Sequence, residues 1–435
     1  MIVIIGAGIS GLSLAYYLQK QNKPYILLEL ESSKDQEGGY MQSLREKEYL
    51  FELGPNSLLC DEELLSLIEE LGLNTSMIEA NNVSKNRYVF KQGRYRKLPD
   101  SPLSLILNGF FSWKTKLRIL REPKVSSKTF SEETLSAFFE RRFGREVVEY
   151  ALDPFVSGIY AGNPEELLVA HTFPSLVEME KQYGSVLKGL KKNKSTERKK
   201  TISFVEGIQT LPKALSSQVK ITYSQKGVEQ VHKNEDGTWQ ILTAEESYQA
   251  KQVVIATAAF QAAEWFRSSL PQFGESLVKI HYAPMIAVHT VYYKQDLGKT
   301  LNGFGALHPS SENLFTLGHI WSSSVFAGRC KDNEVLFTSF VGGSRGYEKT
   351  LLEDHQILGK VQKEIRELFG VNTLPVLQRI TRWQKAIPQY DKYCLEAFAQ
   401  AENLEKENLF VCASWKGGVS IADCIKKAKN LAEKI

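Results

Sequence analysis

The sequence has 435 residues, of which 43% are hydrophobic and 24% are charged, and its formal net charge is +4. This length predicts two or three structural regions, and the composition is typical of a soluble globular enzyme. The small net charge argues against a nucleic-acid partner, because such proteins usually carry a strongly basic domain or stripe.

The first predicted elements form a βαβ unit. Met1 to Ile5 predicts a buried strand, Leu12 to Lys20 a helix, and Tyr25 to Leu28 a second strand. Between the first strand and the helix, Gly6-Ala7-Gly8-Ile9-Ser10-Gly11 has the GxGxxG spacing of a phosphate-binding turn. Glu29, followed by Leu30, lies where a carboxylate would accept hydrogen bonds from an unphosphorylated ribose. This pattern fits NAD and FAD equally.

Further elements alternate in type along the chain. Amphipathic spacing predicts helices over Asp61 to Leu71 and Glu132 to Phe143. A long aromatic stretch punctuated by glycines, from Ile286 to Val341, is strand-like. Shorter strands are predicted over Val219 to Thr222, Trp239 to Leu242 and Val253 to Ala256, with Asp236-Gly237 as a hairpin turn before the second of these. The pattern predicts an α/β domain interrupted by a mostly helical insertion and a β-rich one.

The spacing of the cysteines and histidines does not match a metal-binding motif. The five cysteines are dispersed and contain no CxxC pair, which indicates free thiols in a reducing compartment. The seven histidines include no HxxxH pair. We therefore expect a cytoplasmic protein without a metal site.

Two groups of motifs carry a family resemblance. Gly38-Gly39, Ser43 and the turn from Glu52 to Ser57 resemble the flavin amine oxidase superfamily, in which a second glycine pair and a following turn wrap FAD. Four longer stretches resemble the signatures of the protoporphyrinogen oxidase family and occur in that family's order: Arg87-Tyr88-Val89, Phe155 to Pro164, Glu206 to Pro212 and Gly417 to Ile425.

This resemblance implies the cofactor, the domains and the site residues. FAD would be bound without a covalent link by three groups of residues, namely Gly6, Ala7, Gly8, Ile9, Ser10, Gly11, Glu29 and Leu30; then Gly39, Tyr40, Gly54, Pro55, Asn56 and Ser57; then Val228, Gly418, Val419, Ser420 and Ile421. Asn56, Arg87 and Gly158 would line the substrate pocket. The expected fold is a discontinuous Rossmann-like FAD-binding domain (1–80, 201–260 and 381–435), a helical membrane-associating insertion (81–200) and a β-rich substrate domain (261–380).

The resemblance also implies a reaction. Protoporphyrinogen IX would be oxidised to protoporphyrin IX in haem biosynthesis by successive hydride transfers to flavin, with O2 as the acceptor and neighbouring haem-pathway enzymes as partners. Coproporphyrinogen III is the alternative substrate. The motifs are also compatible with an oxidase of the superfamily that acts on amines or polyenes, and with a flavin-binding redox protein without turnover. Neither a general base nor an oligomeric state is indicated.

Several of these residues have a purely structural alternative. Asn56 is also a common turn former after Gly-Pro, and Arg87 could pair with a surface acid. Gly158 and Gly162 could form only a tight turn, and Asp423 could cap the helix that follows it. The basic run from Lys188 to Lys200 is typical of a solvated loop.

One segment suggests a membrane surface. Pro102 to Trp113 contains seven large apolar residues and is followed by Lys114, Lys116 and Arg118. An apolar segment with a basic flank can lie in a lipid interface, and this one is too short to span a bilayer. We expect peripheral contact with the cytoplasmic face of a membrane, through side chains that include Phe110 and Phe111; the alternative is a core helix.

Overall fold

The computed structural model describes residues 1–34, 36–127, 132–193 and 199–435. The strands are β1 (Ile2–Ile5), β2 (Tyr25–Leu30), β3 (Ser43–Glu46), β4 (Tyr49–Glu52), β5 (Leu58–Cys60), β6 (Met77–Glu79), β7 (Arg87–Lys91), β8 (Arg94–Lys97), β9 (Lys200–Phe204), β10 (Ile221–Ser224), β11 (Val228–Lys233), β12 (Trp239–Thr243), β13 (Ser247–Ala250), β14 (Gln252–Ile255), β15 (Tyr282–Tyr293), β16 (Gly305–Leu307), β17 (Gly318–Ile320), β18 (Glu334–Gly342), β19 (Leu377–Pro388) and β20 (Leu409–Val411).

The helices are α1 (Ile9–Lys20), α2 (Glu62–Glu70), α3 (Pro102–Leu107), α4 (Trp113–Arg121), α5 (Leu135–Phe143), α6 (Arg145–Val147), α7 (Asp153–Tyr160), α8 (Val169–Thr172), α9 (Pro174–Tyr183), α10 (Val186–Lys192), α11 (Thr210–Gln218), α12 (Ala259–Phe266), α13 (Pro271–Val278), α14 (Ser322–Val325), α15 (Asp354–Phe369), α16 (Leu395–Glu405) and α17 (Ile421–Lys434). A π-helical stretch, Val148–Leu152, joins α6 to α7.

The predicted βαβ unit is confirmed and lies in a parallel five-stranded sheet with the order β10-β2-β1-β14-β20. Ile2–Ile5 pairs on one side with β2 and on the other with β14, so β1 is a central, fully buried strand. This burial explains its unbroken run of β-branched residues. The helix begins at Ile9, three residues earlier than predicted, because Gly8 is its N-cap.

A seven-stranded sheet of order β19-β15-β18-β17-β16-β7-β8 forms the second layer. It contains most of the predicted strand-like stretch. It also contains β7 and β8, which precede that stretch by about two hundred residues in the chain. The short strand β16 pairs with β17 antiparallel and with β7 parallel, with Arg87 opposite Gly305. This pairing brings the Arg87 motif into the seven-stranded sheet.

Helices α3 to α10 pack around a separate core containing Phe138, Leu152 and Val156. At its centre lies a buried ionic network in which Arg142 pairs with both Glu122 and Glu180. The predicted solvated loop of Lys188 to Lys200 is wrong in its first part, since α10 continues to Lys192 after Ser185 caps it. Residues 194–198 of that run lie outside the described residues.

Helix α4 has its apolar side facing outward. Its buried residues are Thr115 and Lys116, whereas Trp113, Leu117 and Leu120 are exposed. The Lys116 ammonium donates to the carbonyl oxygens of Ile106 and Asn108 and so holds α4 against α3. Within the described ranges, no helix has both the length and the apolar character needed to cross a bilayer.

Candidate functional site

The Gly6 to Gly11 turn is built as a cradle with room for phosphate. A Cβ atom added to Gly6 would lie 2.5 Å from Thr257 Cγ2, and one added to Gly11 would lie 1.9 Å from the Gly6 carbonyl oxygen. A Cβ on Gly8 would instead meet nothing within 4 Å. Two of these glycines are therefore required by close packing, and the third faces the open space that a pyrophosphate would occupy.

Two further observations fit this cradle to a dinucleotide. The α1 N-terminus has no side-chain cap, so its amide groups are free to bind an anion. The Thr257 hydroxyl at the end of β14 is buried and has no hydrogen-bond partner within the described part of the chain. An unpartnered buried hydroxyl beside the Gly6 turn is expected where a bound ligand completes the hydrogen bonding.

Glu29, the predicted ribose-binding carboxylate, lies at the tip of β2. Glu29 accepts hydrogen bonds from the backbone amides of Ala7 (2.5 Å) and Leu30 (2.8 Å), one on each carboxylate oxygen. Each oxygen keeps accepting capacity for a ribose hydroxyl. Gly227, just before Val228, lies against Leu30, since a Cβ on it would be 3.4 Å from Leu30 Cδ1. The structure thus brings Val228 to the same end as Glu29.

The second glycine pair lies directly on the first. The Gly38 amide donates to the Ala7 carbonyl (3.0 Å), and a Cβ on Gly39 would lie 3.7 Å from Gly8 Cα. The Tyr40 hydroxyl then donates a hydrogen bond to the Lys385 carbonyl oxygen on β19 of the seven-stranded sheet. Burial raises the pKa of Tyr40 to about 12, so its phenol stays protonated.

Tyr40 also connects the glycine pair to the Gly54 to Ser57 turn. Its ring meets Trp383 of β19 edge-on at 5.1 Å, and the Trp383 indole donates to the Leu53 carbonyl (2.6 Å). A Cβ on Gly54 would lie 2.0 Å from the Tyr40 carbonyl oxygen. The turn, the glycine pair and β19 therefore form one connected wall.

The C-terminal turn is organised around a tyrosine that the sequence did not indicate. Tyr390 accepts from the Gly418 amide (2.9 Å) and donates to the Ser414 carbonyl (2.6 Å). Ser420 is the N-cap of α17, and Asp423 completes a capping box with it, which agrees with the structural alternative for Asp423. The nearby Trp415 indole donates to the Thr257 carbonyl (3.1 Å), placing this turn beside the cradle.

Arg87 is exposed at the start of β7, and its guanidinium lies 4.8 Å from the centre of the Phe304 ring. Among the described residues it forms no ion pair, so the structural alternative of a surface acid as its partner is not found there. An arginine held by a ring and not neutralised by an acid is available for a ligand carboxylate.

Asn56 and Gly158 approach the same strand region from other sides. The Asn56 amide donates to the Gly54 carbonyl (3.2 Å), as a turn former does, and Asn56 also lines a small cavity with Phe304. Gly158 on α7 packs against β16, since a Cβ on it would lie 2.5 Å from Leu307 Cδ2. Phe304 to Leu307 therefore connects the three predicted pocket residues.

The comparisons with known proteins agree with this arrangement. The profile of the family described as flavin containing amine oxidoreductase matches residues 9–435. The mitochondrial protoporphyrinogen oxidase of Nicotiana tabacum is 29% identical, with 99% of this chain and 94% of that protein aligned. The coproporphyrinogen III oxidase of Bacillus subtilis (strain 168) is 27% identical, with 98% and 96% aligned. Among solved structures, cyclohexylamine oxidase from Brevibacterium oxydans IH-35A shares the fold, with a TM-score of 0.69 at 14% identity and coverage of 100% and 98%.

Proposed function

Because this chain belongs to the family of flavin-containing amine oxidoreductases and is an FAD-dependent oxidoreductase, we propose that it oxidises protoporphyrinogen IX to protoporphyrin IX with O2 as the acceptor. Relatives aligned over nearly the whole chain carry the names of protoporphyrinogen and coproporphyrinogen oxidases. The observation that carries the proposal is the unpaired Arg87 guanidinium stacked on Phe304. A porphyrinogen is an apolar macrocycle with carboxylate groups at its edge, and such a substrate needs this combination of ring contact and guanidinium.

The residues of the chain bind and orient, while bound FAD supplies the hydride acceptor. Arg87 would anchor one propionate through two parallel hydrogen bonds. Leu307 and the adjoining α7 would provide an apolar wall, with the close approach of Gly158 keeping that wall compact. Asn56, whose side-chain amide is fixed by its hydrogen bond to the Gly54 carbonyl, would form one side of the substrate pocket beside the flavin-binding turn.

Side-by-side turnover of the two porphyrinogens tests the proposal. Purified protein should carry releasable FAD, generate porphyrin fluorescence under air with a higher kcat/KM for protoporphyrinogen, and form peroxide. Coproporphyrinogen III is the second candidate, because the Bacillus subtilis relative aligns over as much of the chain. Faster turnover of coproporphyrinogen would establish that candidate instead. Bleaching of the flavin by an amine but by neither porphyrinogen would indicate another oxidase, and bound flavin with no turnover would indicate a binding protein.

We further propose that α3 and α4 dock on the anionic cytoplasmic face of a membrane. Leu103, Leu107 and Trp113 are 67%, 73% and 69% exposed, and basic residues of α4 flank them. Large apolar side chains beside Lys and Arg suit a bilayer interface with anionic lipid. The expected contribution of Phe110 and Phe111 is wrong, because both are buried in the helical core.

Flotation with phosphatidylglycerol vesicles tests this docking. The double variant Leu107→Asp, Trp113→Asp should lose flotation, whereas Leu374→Asp, at an equally exposed leucine (78%) remote in sequence, should keep it. Vesicles of phosphatidylcholine alone should bind more weakly, since the basic flank would lack anionic partners. Unchanged flotation of the double variant would refute this surface as the docking site.

A further inference from the structure

Three buried side chains from separate parts of the chain converge between the β16–β17 pair and α15. They are His308, His319 and Glu364, and their ligand atoms all lie within 4.8 Å of one another. Glu364 Oε1 is 3.4 Å from His319 Nε2 and 3.9 Å from His308 Nδ1. This site lies outside the flavin cradle and plays no part in the proposed reaction.

Thr316 contributes further oxygen atoms at the same place. Its hydroxyl oxygen lies 3.1 Å from His308 Nδ1, 3.5 Å from His319 Nε2 and 2.5 Å from Glu364 Oε1. The Thr316 carbonyl oxygen accepts from His308 Nδ1 (3.0 Å), so metal binding at Nδ1 would move that proton to Nε2. Two imidazole nitrogens, a carboxylate oxygen and a hydroxyl oxygen therefore lie close to one another, and four donors is the number of a closed four-coordinate site.

The side-chain atoms of these residues that face away from the cluster also have hydrogen-bonding partners. His308 Nε2 is 2.9 Å from the Tyr95 hydroxyl, and His319 Nδ1 is 2.7 Å from Ser339 Oγ. The second Glu364 oxygen accepts from the Phe315 amide (2.5 Å). Metal-bound histidines and carboxylates usually have such partners on the atoms that do not face the metal, because these partners fix the ring orientation and the tautomer.

Charge gives an independent reason for a cation. Glu364 is buried, and among the described residues its ion-pair partners are only the two histidines. The nearby Lys349 ammonium donates to the carbonyl oxygens of Leu314 and Phe315 instead. A positive charge close to a buried carboxylate stabilises it, and a divalent cation between Glu364 and the two imidazoles would supply that charge.

We propose that His308, His319, Glu364 and Thr316 bind a divalent transition-metal cation, with Zn²⁺ favoured by two imidazoles and a carboxylate. With every donor supplied by protein, the site is structural and not catalytic. It fixes the β16–β17 pair, which carries Leu307, to α15. The expectation from histidine spacing missed it, because His308 and His319 meet through a hairpin and Glu364 comes from a distant helix.

Metal analysis of the holoenzyme tests this inference. Protein made in zinc-supplemented medium, freed of any polyhistidine tag and dialysed against metal-free buffer, should retain about one zinc per chain. His319→Gln and Glu364→Gln should lose the metal. His289→Gln is the matched control and should keep the metal. His289 is equally buried on the same sheet, but among the described residues its Nε2 hydrogen-bonds to the Glu52 carbonyl and to no carboxylate.

A second measurement uses the wild-type protein, so that it does not depend on whether the variants fold. Wild-type protein made with Co²⁺ should show the visible d–d absorption of a tetrahedral site, and removal of the metal with a chelator should lower Tm while flavin content is unchanged. Wild-type protein that folds and binds FAD without zinc or cobalt would overturn the proposal. Full metal content in His319→Gln or Glu364→Gln would overturn it as well.

Discussion

Replacing Arg87 by alanine should weaken kcat/KM without harming the protein. Arg87 is an exposed residue whose guanidinium lies over Phe304 at 4.8 Å and is partly desolvated there, which lowers its pKa. It pairs with no acid among the described residues, so its loss removes no internal ion pair. A charge-assisted contact with a propionate is worth roughly 1.5–3 kcal/mol, which corresponds to about a ten- to hundredfold loss of kcat/KM. Flavin content and Tm should stay as in the wild type.

Three further variants separate charge from geometry. Arg87→Lys should recover only part of the loss, because an ammonium cannot form two parallel bonds or stack flat on a ring. Phe304→Leu keeps the guanidinium but removes its platform, and should cost about 0.5–1 kcal/mol, a few-fold effect. Arg94→Ala, an exposed arginine on the neighbouring strand β8, is the control and should behave as the wild type.

The assay is the initial rate of porphyrin fluorescence under air over a range of porphyrinogen concentrations, with flavin absorbance and Tm measured on the same preparations. Normal turnover of Arg87→Ala would refute the anchoring role. So would a loss of flavin and fold together with activity, because Arg87 would then be a structural residue.

Other variants test separate parts of the molecule. Gly8→Leu should fold but purify without flavin, because its side chain would enter the open space that the pyrophosphate would occupy. Gly11→Ala should fail to fold, because its Cβ would lie 1.9 Å from a backbone oxygen. Flavin absorbance and circular dichroism distinguish the two outcomes. Arg142→Met leaves the buried Glu122 without its ion-pair partner among the described residues, while Glu180 keeps Arg141. This variant should lower the free energy of unfolding by about 3–5 kcal/mol, measured by urea denaturation. Burial lowers the pKa of His289 to about 4, so the unfolded chain takes up this proton first as the pH falls. Between pH 7 and pH 5 the protein should thereby lose about 2 kcal/mol of stability. Tm measured at both pH values should show a smaller loss for His289→Gln. The control His355→Gln, at an exposed histidine, should show the same loss as the wild type.

The sequence predicted those features that depend on neighbours along the chain. The Gly6 to Gly11 turn, Glu29 and the Asp236-Gly237 hairpin are local patterns, and the structure contains all of them. Features set by distant partners were not predictable in this way. The Phe304 ring under Arg87 depends on parallel pairing between β7 and β16.

The helical insertion shows the same limit. An apolar run indicates that some side chains avoid water but not which of them face the core. Phe110 and Phe111 are buried, while Trp113, two residues later, is exposed, because α4 places its Lys116 side inward. The packing of α3 against α4 determines which of these side chains are buried, and the composition of the segment does not predict it.

The order of strands in the parallel sheet also bears on how the protein matures during synthesis. Strand β20 closes one edge by pairing with β14, and α17 packs against α1, yet both come from the last part of the chain. A nascent chain that has exposed the Gly6 to Gly11 turn therefore lacks these elements until Leu409 and the residues after it leave the ribosome. Pairings over such sequence separations form late and slowly. The sheet that carries the Gly6 to Gly11 turn is therefore completed late, and until then β14 and α1 lack the native partners that β20 and α17 provide.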